Sequence, residues 1–302
     1  MFFYHPLRLI PPNSETLLED IRRLSIRFPF LRVSSIGKSL LGKDLYRLEL
    51  GNPQNEVLYA GAFHGMEWIT TLILLNFAYQ LCYALENHLR LQSVDIFHTL
   101  EQTGISIIPC VNPDGVDIML HGAEAAGNFF SLVQEISGGD TERWQANARG
   151  VDLNHNFNAG WFFLRNLENA AGITGPAATR YGGTAPESEP ESAALARLCR
   201  HTCFRFAIAF HSQGEEIYYH YGSRTPKRSL SMAKALSAFS GYRLSEPEGL
   251  ASMGGFKDWF IDRLMRPAFT VEVGLGKNPL PIEDFWKIYP RLEPMLVGAL
   301  LL

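Results

Sequence analysis

Short apolar runs alternate with long helix-forming segments along this chain, and that order most limits its fold. Residues 33–36, 44–50 and 57–60 read as strands separated by Gly37, Gly42 and a Gly51-Asn52-Pro53 turn. A long apolar helix is expected from about Trp68, with further strands at 104–111, 205–210 and 268–273. Asn13 or Ser14 can cap a first helix with Leu17, Ile21, Leu24 and Phe28 on one face and Pro29 as its stop. Later helices are predicted at 230–239 and 282–302, the last kinked at Pro290 and Pro294. Residues 121–204 read mostly as loop and helix. Strands alternating with long helices predict an α/β sheet covered on both faces. No repeat, low-complexity tract or linker interrupts the pattern, so residues 1–302 read as a single domain.

Only 19% of the 302 residues are charged, against about 25% in an ordinary soluble domain. At this length a large core forms without covalent staples. Net charge is −4 and the basic residues form no runs, which argues against a nucleic-acid partner or a protein held on anionic lipid. Four cysteines are too few for a disulfide scaffold, and the pair Cys199 and Cys203 lacks a second pair to complete a thiolate metal site. Residues 69–85 are apolar but contain Thr70, Thr71, Asn76 and Gln80. They fall short of the ~20 residues a membrane span needs and read as a buried helix. The opening residues show no basic, apolar and small-residue order of a secretion signal. The expectation is a soluble, cytoplasmic enzyme.

Three polar clusters each lie just past an apolar strand, where open α/β sheets place ligand sites. In Ala62-Phe63-His64-Gly65-Met66-Glu67-Trp68, His64 and Glu67 stand three apart at a strand-to-helix turn and can converge on one ion. A structural His beside a helix-starting acid gives the same pattern. His211 follows a buried strand and could supply the third ligand of an open metal site, or be structural. Glu272 sits inside the Val-rich run Phe269-Thr270-Val271-Glu272-Val273. There it is either a buried salt-bridge partner or a general base tuned by apolar walls. Between these clusters, Arg149, Asp152, Asn154, His155 and Asn156 crowd one turn.

Taken together, this order resembles the zinc carboxypeptidase A family: His-x-x-Glu, then Gly150-Val151-Asp152-x-Asn154-x-Asn156, then a strand-end His-Ser, then a strand-borne Glu. Asn112-Pro113-Asp114-Gly115, Tyr219-His220-Tyr221-Gly222 and Gly254-Gly255-Phe256-Lys257-Asp258-Trp259 support it, over roughly residues 14 to 290. The resemblance implies a single-domain mixed sheet flanked by helices and one Zn2+ per chain, held by His64, Glu67 and His211. It further implies Glu272 as base and proton shuttle, with Asp152 orienting a ligand His.

Three positions depart from the family pattern. His155 replaces the Arg that grips a terminal carboxylate, Leu250 replaces a mobile Tyr, and Gln145 replaces the Arg that polarises the scissile carbonyl. Arg149 or Arg143 could substitute for the last. In these details, and in His211-Ser212-Gln213-Gly214-Glu215 and the segment from Glu272 to Pro281, the chain is similar to the bacterial γ-D-glutamyl-L-diamino acid endopeptidases. The implied partner is then a peptidoglycan-derived peptide. Catalysis falls to Glu272 and Arg149, and substrate binding to Asn154, His155, Lys257 and Arg180. A broad metallocarboxypeptidase, a deacylase of small acylated amino acids and a catalytically dead peptidoglycan-fragment binder are the competing expectations.

Overall fold

A computed structural model describes residues 9–246 and 249–302. One mixed sheet runs through it, built from β1 (Arg32–Lys38), β2 (Asp44–Gly51) and β3 (Glu56–Gly61). After a small ribbon of β4 (Arg90–Leu91) and β5 (Val94–Asp95), the sheet continues with β6 (Gly104–Ile108), β7 (Ala207–His211), β8 (Glu216–Tyr218), β9 (Arg243–Leu244) and β10 (Ala268–Glu272). The spatial order is β1-β2-β6-β3-β7-β10-β8-β9. The central four, β6, β3, β7 and β10, are parallel to one another, while β2 and β8 flank them antiparallel.

The apolar runs are strands because both of their faces are covered. Val57, Tyr59, Ile208, Phe210, Phe269 and Val271 point into a core shared with the helices Ser14–Arg27, Ile69–Glu86, Ser229–Ser240 and Phe285–Gly298. Leu58, Ala60, Ala207, Ala209 and Ala268 face the other way, against the helices Pro190–His201 and Phe256–Leu264. The expected α/β sheet with helices on both faces is therefore what the chain forms. Asn13 is the first cap, its side chain accepting from the Thr16 amide. By length and composition Gly65–Glu86 could cross a membrane, yet 78% of its most apolar window is buried inside the fold.

Three differences from the sequence reading have physical reasons. β8 and β9 are only three and two residues long, and so short a segment carries no periodic signal. Strand β7 extends through His211 because His211 accepts a hydrogen bond from the Val273 amide (2.8 Å). The C-terminal helix starts at Phe285, after a 3-10 turn at Ile282–Asp284.

Chain order makes the carboxyl end of β3 a switch point: β6, the next strand of this sheet, lies on one side of it and β7 on the other. Such points are where open α/β sheets bind ligands. Asn112 seals the nearby loops. Its side chain donates to Phe63 O (3.1 Å) and Gln145 O (3.0 Å) and accepts from the Gly115 amide (2.9 Å). Behind them, Asn147 donates to Glu189 (2.7 Å), and Glu191 accepts from the Leu40 amide (2.8 Å).

Glu191 is fully buried, and burial is the main reason its carboxyl is pushed up to about 7; Glu189 and Asp114 add to the rise while the Leu40 amide opposes it. A folded-state pKa above the unfolded one means stability is highest below about pH 4.5 and falls as pH rises toward 7. The shift corresponds to a loss on the order of 3 kcal/mol. Glu191→Gln should therefore flatten the decline of the urea midpoint between pH 5 and 8. An equally steep decline in the variant would assign the effect to another group.

Candidate functional site

His64 caps the 3-10 turn Gly65–Glu67 with an extended backbone. Residues i and i+3 eclipse in 3-10 geometry, so His64 and Glu67 project the same way. Gly65 is required there, because a Cβ would lie 2.2 Å from Gly115 O and 2.8 Å from Trp144 O. His211 arrives from β7, which neighbours β3. The Nδ1 atoms of both rings face the Glu67 carboxylate, His64 at 2.9 Å and His211 at 3.0 Å. One ligand atom from each of the three lies within 4.8 Å of the others.

The surroundings fit a divalent cation. Asp152, almost fully buried, stands 3.1 Å from His64 Nε2 and accepts from the Arg180 (2.9 Å) and Asn154 (3.1 Å) amides. Nε2 therefore carries the proton, and Nδ1 is left to bind metal. Burial alone would lower the His64 pKa, but Glu67 and Asp152 outweigh it and raise the value well above normal. Burial likewise favours protonated Glu67, yet His64 and His211 hold it down at about 2. Two buried carboxylates around one imidazole leave local negative charge that an ion would neutralise. Among the described residues His211 Nε2 is buried without a partner, and its ring stacks on Phe63 at 5.0 Å.

Glu272 ends β10 directly beside His211 in register. Burial pushes its carboxyl well above the ordinary range, the Glu67 charge adds to the rise and His64 opposes it. Among the described residues its carboxylate has no hydrogen-bond partner. It faces a cavity of about 870 Å³ that also exposes His64, His211, Asp152 and Thr270. A three-ligand metal group, a lone raised carboxyl and a deep cavity are the parts of a metal-assisted hydrolase.

The sequence matches the family described as zinc carboxypeptidase over residues 17–290. The chain belongs to this family. It is 38% identical over 296 residues to γ-D-glutamyl-L-diamino acid endopeptidase 1 of Lysinibacillus sphaericus, covering 95% of this chain and 71% of that protein. Among solved structures it resembles bovine thrombin-activatable fibrinolysis inhibitor in complex with tick carboxypeptidase inhibitor (TM-score 0.76, 22% identity, 97% of both chains). It also resembles murein-tripeptide amidase from Escherichia coli O157 (TM-score 0.53, 21% identity, 88% of this chain and 91% of that one). Both share the fold. As a zinc carboxypeptidase family member, the protein is a metallopeptidase.

Asn154, His155, Lys257 and Arg180 all line this peptidase's cavity. Asn154 accepts from the Phe256 amide (3.0 Å). His155 Nδ1 donates to Glu168 (2.8 Å), a fully buried acid that also pairs with Arg165. Lys257 is buried, paired with Asp258 and donating to His220 O (2.9 Å). Arg149, expected at the oxyanion, does not line the cavity. Its guanidinium is turned away by the buried Glu189, which accepts from Nε (3.1 Å) and Nη2 (2.9 Å). Arg143 and Gln145 line the cavity instead. Thr179 donates to Gln145 Oε1, which leaves the Gln145 amide nitrogen free to donate. Glu168 escaped the sequence reading because nothing local distinguishes it from a helix-surface acid. Asn147 and Asn156 are wholly buried loop staples, not ligands of a substrate.

Asp152→Asn should weaken divalent-metal binding by roughly 10- to 100-fold while the three ligands stay in place. Competition against a chromophoric chelator measures this. Unchanged affinity would mean that Asp152 serves only to close its loop.

Proposed function

We propose that the protein is a zinc-dependent peptidase that hydrolyses the γ-D-glutamyl–diaminopimelate bond of peptidoglycan peptides. The observation that carries this reading is His155. It stands where a terminal-carboxylate Arg would, and its Nδ1 is committed to Glu168. An imidazole so held cannot form the two-pronged pair by which a carboxypeptidase selects a free chain end. The similarity to a protein named for the γ-D-glutamyl-L-diamino acid bond supports the same substrate. The cavity wall supports it chemically, because Lys257 and Asp258 set opposite charges side by side. Diaminopimelate ends in an ammonium and a carboxylate on one carbon, which suits such a pair. Arg180 is an exposed cation on the same cavity.

Two imidazole nitrogens and one carboxylate with a further position open are a donor set typical of catalytic zinc. His64, Glu67 and His211 would hold the ion. When bound, zinc supplies charge that polarises an amide carbonyl and makes water a stronger acid. Glu272 takes the proton of the attacking water on its carboxylate and passes it to the leaving nitrogen. Its raised pKa suits both halves of that transfer. Arg143 and the free Gln145 amide donate to the carbonyl oxygen as negative charge develops there. Asn154 and His155 shape the leaving-group side.

Glu272→Gln should keep bound metal and thermal stability yet lose about 10²- to 10⁴-fold in kcat. A variant within tenfold of the parent would move the proton transfer to another group. Specificity is tested by kcat/KM on tripeptide and tetrapeptide wall fragments against peptides ending in Phe or Lys. Both wall fragments should be cut before diaminopimelate, and the ordinary peptides barely. A standard carboxypeptidase substrate winning by about tenfold, a difference near 1.4 kcal/mol, would replace this reading with a carboxypeptidase.

A further inference from the structure

Across Glu67 and Glu272 from the main cavity lies a second recess of about 320 Å³. Met66, Arg143, Gln145, Tyr218 and Glu272 belong to the walls of both spaces, so a substrate bond placed at Glu272 extends into each. The recess is made by the two segments that follow β7 and β10, Ser212-Gln213 and Lys277-Asn278. The chemistry described above uses His211 and Glu272, the last residues of those strands, and none of these four.

The two segments are locked to each other. Ser212 Oγ donates to Asn278 Oδ1 (2.8 Å), Asn278 Nδ2 donates back to Ser212 O, and the Gly214 amide donates to Gly274 O (2.8 Å). That lock fixes the backbone that carries Gln213 and Lys277. Neither side chain has a hydrogen-bond or ion-pair partner among the described residues. Nearby, Lys257 pairs with Asp258, Arg149 with Glu189 and Arg165 with Glu168, while Arg143 on the wall shared by both spaces and Arg180 on the main cavity stay open to a ligand. The recess thus carries the exposed Lys277 ammonium and Gln213 amide at its rim, with the Arg143 guanidinium on the wall shared with the main cavity, a donor set that suits an anion.

We propose that this recess binds the free α-carboxylate of a γ-linked glutamyl residue on the acyl side of the cleaved bond. Lys277 supplies the charge and the Gln213 amide a hydrogen bond. In a γ-glutamyl peptide the scissile carbonyl is the side-chain one, so the α-carboxylate stays free three carbons away on the acyl side. In an ordinary peptide the α-carboxyl is itself the scissile amide, and a carboxylate at that distance is present only when the acyl-side residue is glutamate. The recess thus reads a carboxylate on the acyl side, whereas the main cavity reads the leaving diamino acid. This rests on the wall-peptide reading, and the two can fail separately.

The test compares L-Ala-γ-D-Glu-diaminopimelate with the same peptide carrying a D-Glu α-carboxamide. The parent enzyme should prefer the free acid by roughly tenfold or more, as a charge-assisted contact predicts. Lys277→Gln should erase that preference, chiefly through KM, by slowing the acid peptide while leaving the amide within about twofold. Lys277→Arg should restore most of it. A Lys277→Gln loss equal on both peptides, or no loss on the acid, would overturn the recess assignment while leaving the wall-peptide reading standing. A parent enzyme that cuts neither peptide would remove both.

Discussion

A carboxylate buried between two imidazoles organises this molecule. Glu67 is 3% exposed and faces Nδ1 of both His64 and His211. Removing such a charge from water costs several kcal/mol unless a counter-charge repays it. The neighbouring backbone is arranged around that demand. β3 and β7 pair so that their ends bring the two rings to one place, and the 3-10 turn swings Glu67 under them. Asp152 then fixes the outer nitrogen of His64. Remove the carboxylate and the imidazoles lose the group that aims them.

The polar surroundings form shells with separate duties. Asp152 is tied to the Arg180 and Asn154 amides, and Asn156 to Gly182 O (2.8 Å) and the Glu189 amide (3.1 Å). Loop and helix start are thereby one body, which holds the cavity wall opposite Glu272 without regular secondary structure. Arg149 and Glu189 brace it from outside. A charge that looks catalytic in the sequence can thus be a strut, because a buried acid takes whichever arginine reaches it first.

What was legible in the sequence follows from the same division. The central strands were readable because burial on both faces leaves an apolar run, and His64, Glu67, His211 and Glu272 stood out beside such runs as candidates whose roles came only from the family resemblance. The short strands at Glu216–Tyr218 and Arg243–Leu244 were not, being set by pairing partners distant in the chain. Residue type alone could not tell Asn154, which lines the cavity, from Asn156, which staples loops. Nor could it reveal that His155 answers to Glu168, since that pairing depends on where a helix lies in space. That Arg149 turns to Glu189 was hidden for the same reason.

The pairing of β3 with β7 also sets a schedule for assembly. Glu67 and His211 are 144 residues apart in the chain, while His64 and Glu67 are three apart. An unfolded chain offers a metal only the local pair, and the third ligand arrives when two distant strands meet. Contacts of that separation form late, since loop closure must precede them. Metal affinity should therefore rise steeply at the final stage of folding, so the ion stabilises the finished sheet far more than any partly folded state. Occupancy of the centre doubles as a report that the sheet has closed.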